Sequence, residues 1–255
     1  MFPLRDENPT ELTPYFTVML IAVNVLAWVF IQGAGFDMAT LHATVCRYGL
    51  IPAELTGRTH GYAGIELAPG MACRFGGLTW STLLTGIFLH GSWLHLIGNM
   101  WFLWVFGNNI EDSMGHFRFL IFYLLTGVAA SGVHIWTAMD SPLPTIGASG
   151  AVSGIMGAYL VLYPRVRVQT LFIVLIFIKI LPVPAWLVLG QWFLLQFFYG
   201  ASTAGASAGI AFWAHVGGFA AGALLIKLFE NRVLVRAKKH HIKLSRRELE
   251  NRGWW

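Results

Sequence analysis

The chain has 255 residues, 56% of them hydrophobic and only 11% charged, with a mean hydropathy of +0.62. Soluble domains carry about a quarter charged residues, so this composition excludes an ordinary soluble domain and points to a membrane protein. The formal net charge of +5 fits membrane topology and anionic lipid, and gives no reason to invoke nucleic acid as a partner.

Residues 1–14 read as a short polar, cytoplasmic lead-in. The apolar run 15–32 follows. Its flank, Arg5-Asp6-Glu7 with Glu11, has no net-positive region, and the run is long for a signal-peptide core, so an uncleaved first span is expected. Residues 33–91 form a long external loop, rich in Gly and holding Cys46 and Cys73, the two cysteines of the chain. Its later part, 78–90, is moderately apolar and reads as structure lying in the outer leaflet. Further apolar runs cover 92–109, 117–137, 148–163, 184–199 and 208–229, each close to the roughly 17–25 residues that a spanning helix needs. The run 170–181 is short and stops at Pro182-Val183-Pro184. It reads as an interfacial piece or the approach to the fifth span. Residues 200–209 are a small, flexible outer linker. The tail 230–255 is basic and ends Trp254-Trp255, which suggests a helix on the inner membrane surface. Lys227, Arg232, Arg236, Lys238, Lys239, Lys243, Arg246, Arg247 and Arg252 assign that side, and with six spans both termini, to the cytoplasm. The expected fold is an all-α, six-transmembrane-helix bundle with one membrane domain at 15–229.

Chemistry concentrates in 145–157, Thr-Ile-Gly-Ala-Ser-Gly-Ala-Val-Ser-Gly-Ile-Met-Gly, just after Pro142 and Pro144. The prolines and the apolar run mark a helix start, so Ser149 is expected where backbone N–H groups have no intrahelical partner. A serine nucleophile needs such donors, because attack on an amide carbonyl creates an oxyanion. Gly147, Gly150, Gly154 and Gly157 also suit a plain packing face between membrane helices. Ionisable groups within spans are costly and therefore candidates for function. The second span carries His95 and Asn99 one turn apart, preceded by His90. The sixth carries His215, with Gly218 and Gly222 in one stripe that permits close approach to a neighbouring helix. His95, Ser149 and His215 all fall in the outer halves of three spans that run the same way. No HExxH or comparable metal motif is present, and no pair of carboxylates lies at that depth. The G-x-S-x-G elbow is missed because Ala151 stands at its second glycine. Serine plus histidine remains.

His95-x-x-x-Asn99, Gly147-Ala148-Ser149-Gly150 and Ala214-His215-x-x-Gly218-x-x-x-Gly222, in this order on the second, fourth and sixth expected spans, resemble the rhomboid intramembrane serine proteases over about 81–229. The resemblance implies a Ser149–His215 dyad that needs no cofactor or metal. It also implies an oxyanion hole of His95, Asn99 and the Ser149 N–H, with Glu111 as a structural acid. Substrates would be single-span or other membrane proteins, admitted laterally from the bilayer past a movable fifth span and the loop before the sixth. A bacterial inner (plasma) membrane, with the site opening to its outer side, is the expected location. Two departures from the family pattern stand out. Ser153 replaces an aromatic ring that stacks on the catalytic imidazole, and its hydroxyl, or a water it holds, is expected to bond the second nitrogen of His215 instead. Ser81 and Thr82 stand where a Trp-Arg pair occurs in some relatives, with Trp80 one residue away. A non-catalytic membrane chaperone of the same fold and a transporter with His95 and His215 in a proton path are the alternative readings. Cys46 and Cys73 are expected to bridge if the external compartment is oxidising; the alternative is two unrelated thiols. The oligomeric state and the natural substrate are not legible.

Overall fold

The computed structural model describes residues 1–68, 70–76, 80–174, 177–202, 212–240, 242 and 244–253. The chain is predominantly helical, and each apolar run contains a helix; the second run continues five residues past its expected end to Met114, the fifth three residues to Ser202, and the sixth is described as helix from Phe212. The first run forms α1 (Tyr15–Leu26), extended by a π turn over Ala27–Ile31. The long loop after it holds α2 (Met38–Tyr48), the single turn α3 (Pro52–Leu55), a hairpin of β2 (Gly64–Ala68) and β3 (Met71–Arg74), and the single turn α4 (Thr82–Thr85). The second run is α5 (Trp93–Phe102), continued through a π segment into α6 (Asn108–Met114). Then come α7 (His116–Thr137), α8 (Ser149–Leu162), α9 (Ala185–Ser202) and α10 (Phe212–Phe229). The tail forms α11 (Arg232–Lys239) and α12 (Arg246–Gly253). Two of these helices, α7 and α10, are individually long and apolar enough to cross a membrane. Most of the expected linker 200–209, the start of the sixth run and Trp254-Trp255 lie outside the described residues.

The segment 170–181 is not a lone interfacial piece. It belongs to a β-hairpin, β4 (Arg167–Val174) and β5 (Phe177–Pro184), and β4 also pairs with β1 (Phe2–Asp6) of the lead-in. The order is β1-β4-β5, all antiparallel, with Phe2 opposite Leu171 and Asp6 opposite Val168. The run is rich in β-branched and aromatic residues, which favour a pleated strand. Pro182 and Pro184 fall on β5, an edge strand, where a missing N–H costs the ladder least. The sheet leans on α5: the Trp101 indole N–H donates to Pro3 O at 2.7 Å.

The centre of the bundle is α8, most of whose residues are buried. It is packed there by absence of side chains. A Cβ at Gly218 would stand 2.1 Å from Gly150 O, and one at Gly222 would stand 1.8 Å from Gly154 O. The backbones of α8 and α10 therefore touch, as small-residue stripes allow. At the α6 end of the second apolar run Glu111 is wholly buried. It accepts hydrogen bonds from Phe16 N at 2.9 Å, Thr17 N at 2.8 Å and Thr17 Oγ1 at 2.6 Å. A carboxylate thus satisfies the orphan donors at the start of α1. Lys238 of α11 docks at the same end, donating to Asp112 Oδ2 at 2.7 Å and to Asn109 Oδ1 at 2.5 Å.

Candidate active site

Ser149 is the first residue of α8. The turn that delivers it needs glycine at 147, where φ is +129° and a Cβ would stand 2.8 Å from His95 Nε2. That backbone conformation is rare for any residue with a side chain. Ser149 Oγ lies 2.8 Å from His215 Nε2. The two residues are 66 positions apart in sequence, and the glycine contact between α8 and α10 is what brings them within bonding reach.

The other imidazole nitrogen, His215 Nδ1, lies 2.7 Å from Gln196 Oε1 on α9. An amide oxygen only accepts, so the ring hydrogen sits on Nδ1 and the Nε2 lone pair faces the Ser149 hydroxyl. The expectation for Ser153 is overturned. Its hydroxyl donates to Ser149 O at 2.5 Å, one turn back on its own helix, and makes no bond to His215. The ring near the imidazole comes from α9 as well: Trp192 lies 5.9 Å from His215 between centroids, tilted by 41°. Neither Trp192 nor Gln196 was singled out from the sequence. Gln196 carried a signal, since an amide inside an apolar run is itself costly. Gln191 in the same run blurred it.

His95 stands on the opposite side of Ser149. Gly91 N donates to His95 Nδ1 at 3.4 Å, which leaves the ring hydrogen on Nε2, toward Gly147 and Ser149. Asn99 sits one turn further along α5, with Nδ2 buried and without a hydrogen-bond partner. His95, Asn99, Gly147, Gly150, Ser149 and His215 all border one cavity of about 600 Å³. Among the described residues no Asp or Glu lines it, while His134 of α7 does. His134 Nε2 lies 2.8 Å from Thr145 Oγ1. His90 is fully buried behind His95, with ring centroids 5.1 Å apart, and does not reach the cavity. Gly218 and Gly222 lie at the helix contact and Glu111 on α6, away from the cavity. Ser81 and Thr82 start α4, and Trp80 beside them is exposed. The cavity thus joins a serine to a neutral, oriented base and sets buried N–H donors across from it, the minimum for acyl transfer.

A Rhomboid domain family model matches residues 77–232. The Rhomboid protease GluP of Bacillus subtilis (strain 168) is 34% identical over 147 residues, which is 58% of this chain and 24% of that protein. The YdcA protein of the same strain is 35% identical over 161 residues, 62% of this chain and 68% of its own length. Rhomboid-like protein 11, chloroplastic, of Arabidopsis thaliana is 40% identical over 76 residues, 30% of this chain and 27% of that protein. The chain covers about a quarter of the length of the first and third of these relatives.

Proposed function

This chain belongs to the rhomboid family, a family of membrane-integral proteins, and from that premise we propose that it is an intramembrane serine endopeptidase. The observation that carries the reading is the 2.8 Å contact between Ser149 Oγ and His215 Nε2 inside a cavity. Ser149 Oγ attacks the scissile carbonyl while His215 takes its proton at Nε2. The tetrahedral oxyanion is held by Asn99 Nδ2, by His95 Nε2–H and by the Ser149 N–H at the start of α8. His215 then gives the proton to the leaving amine, and a water activated by the same base releases the acyl-enzyme. Gly147, Gly150, Gly218 and Gly222 support the site by letting α8, α10 and the His95 ring approach.

The substrates are single-span or other membrane proteins, cut near the outer end of a transmembrane segment. Six spans within one unit at 15–229, both termini cytoplasmic and the cavity open to the outer side of a bacterial inner membrane complete the proposal. The gathering of β1, the β4–β5 hairpin and α11 at the end of the bundle away from Ser149 supports that orientation.

The test is a fluorophosphonate probe together with cleavage of a model single-span substrate by the purified chain. Wild type is expected to label at Ser149 and to cleave. Ser149→Ala and His215→Ala are each expected to abolish cleavage, and the double variant to be no worse, because groups acting as one unit are non-additive. A non-catalytic binding protein of this fold would neither label nor cleave. Full cleavage by Ser149→Ala would end the serine mechanism.

A further inference from the structure

We infer that Gln196 is the positioning residue of the base, and that α9 holds His215 set for reaction through it. The inference deepens the serine-protease reading and rests on it. A histidine base works only if its ring is held with one nitrogen toward the nucleophile and the hydrogen on the other. On its own helix His215 has little to hold it. The next residues of its stripe, Gly218 and Gly222, have no side chains and press directly on α8. From α8 itself, Ser153 spends its hydroxyl on Ser149 O.

What remains comes from α9. Gln196 Oε1 meets Nδ1 at 2.7 Å, and Trp192, one turn earlier on the same face, flanks the ring. That face is docked by aromatic contact: Trp192 and Phe193 lie 6.2 and 4.7 Å from Phe219, one turn after His215 on α10. When α9 is docked, the amide locks the tautomer and the ring angle.

An amide does this differently from a carboxylate. It fixes the hydrogen on Nδ1 but supplies no countercharge when the imidazole takes the proton of Ser149. A carboxylate at this position would cost more to bury in an apolar site. The titratable groups that face the cavity with His215 are His95 from α5 and His134 from α7; α8 and α9 contribute none. Gln196→Glu therefore adds the one negative charge beside the ring, and favours its protonated form.

The experiment uses the full chain, a model single-span substrate and the fluorophosphonate probe, with Gln196→Met and Gln196→Glu. Gln196→Met removes the acceptor at similar volume. It is expected to lower kcat and the labelling rate by about 10–100-fold with KM nearly unchanged, since orientation of the base acts on the chemical step. Gln196→Glu keeps an acceptor at the same reach. It is expected to retain kcat within about threefold at alkaline pH, and to move the acid limb of kcat/KM upward by about one pH unit. If Gln196→Met fails to fold, Gln196→Glu decides, because a carboxylate that meets Nδ1 raises the acid limb, whereas one that points away from the ring leaves it where it is. Wild-type kcat in a folded Gln196→Met, or an unmoved acid limb in Gln196→Glu, overturns the inference. Those results are distinct from a wild type that neither labels nor cleaves, which overturns the serine-protease reading and this inference with it.

Discussion

Inside a helix a serine can spend its hydroxyl on the carbonyl one turn back, and Ser153 does so at 2.5 Å from Ser149 O. Ser153→Ala is therefore expected to leave turnover within about threefold of wild type. A tenfold loss of kcat in a folded variant would show that the hydroxyl acts on His215 through water. At the opposite end of α8, Asp6 of the N-terminal strand accepts from Tyr159 OH at 2.5 Å and from Asn109 Nδ2 at 2.7 Å. Burial pushes its carboxyl up to about 6, against the Tyr159 hydrogen bond and the charge of Lys238. Between the usual carboxylate range and pH 6 the folded chain then holds a proton that the unfolded chain has released. Asp6 thus weakens the fold as pH rises through that window. Asp6→Asn keeps the acceptor for Tyr159 and removes the titration. Its thermal stability relative to wild type is expected to be higher at pH 7.5 than at pH 4.5, and equal differences at both values would exclude Asp6 as the source.

Among the elements, α8 and α10 are joined by backbone contact, which is why their glycines cannot be exchanged freely. A methyl at Gly222 would stand 1.8 Å from Gly154 O, a backbone atom that cannot step aside. Gly222→Ala is expected to destabilise by about 1–3 kcal/mol or more, as overpacking does, and to reduce cleavage by parting Ser149 from His215. Gly132→Ala on α7 is the control, because a methyl there meets nothing within 4 Å. Equal unfolding temperatures for the two variants would contradict the contact. The β4–β5 hairpin teaches the converse about legibility. Its strands are apolar on both faces, so periodicity cannot separate a strand from a short buried helix. Only the pairing with β1, from the other end of the chain, settles which it is.

At the scale of the whole molecule, the long loop between α1 and α5 is tied to the cavity it borders. Cys46 of α2 and Cys73 of β3 form a disulfide with Cα atoms 5.1 Å apart. Just past α2, Leu50 and Thr145 exchange both backbone hydrogen bonds, Leu50 N to Thr145 O at 2.9 Å and Thr145 N to Leu50 O at 2.7 Å. Gly147 N donates to Gly86 O at 2.9 Å. The segment that presents Ser149 is thus held by the loop as well as by helices. Replacing both cysteines by serine is expected to lower the unfolding temperature, with roughly 3–4 kcal/mol of denatured-state entropy restored in the chain-entropy model. Cleavage at 25 °C is expected to survive, since neither cysteine borders the cavity. Maleimide labelling without reductant would contradict the bridge.

The sequence by itself determined where the helices lie, because long apolar runs and their proline and glycine boundaries are local signals. It also marked out Ser149, His95, Asn99 and His215, because polar groups stand out in an apolar background and three short motifs repeat a family's order. The small-residue stripe on the sixth run was legible for the same reason, since spacing alone places Gly218 and Gly222 on the face of His215. The tertiary structure decided what those residues touch. Gln196 and Trp192 reach His215 only because α9 lies against α10, and the Ser153 hydroxyl turns to its own helix because a carbonyl is nearer than the ring. Lys238 finds Asp112 across 126 residues, and β1 finds β4 across more. Partners so far apart in sequence are chosen by packing, and no local pattern records them.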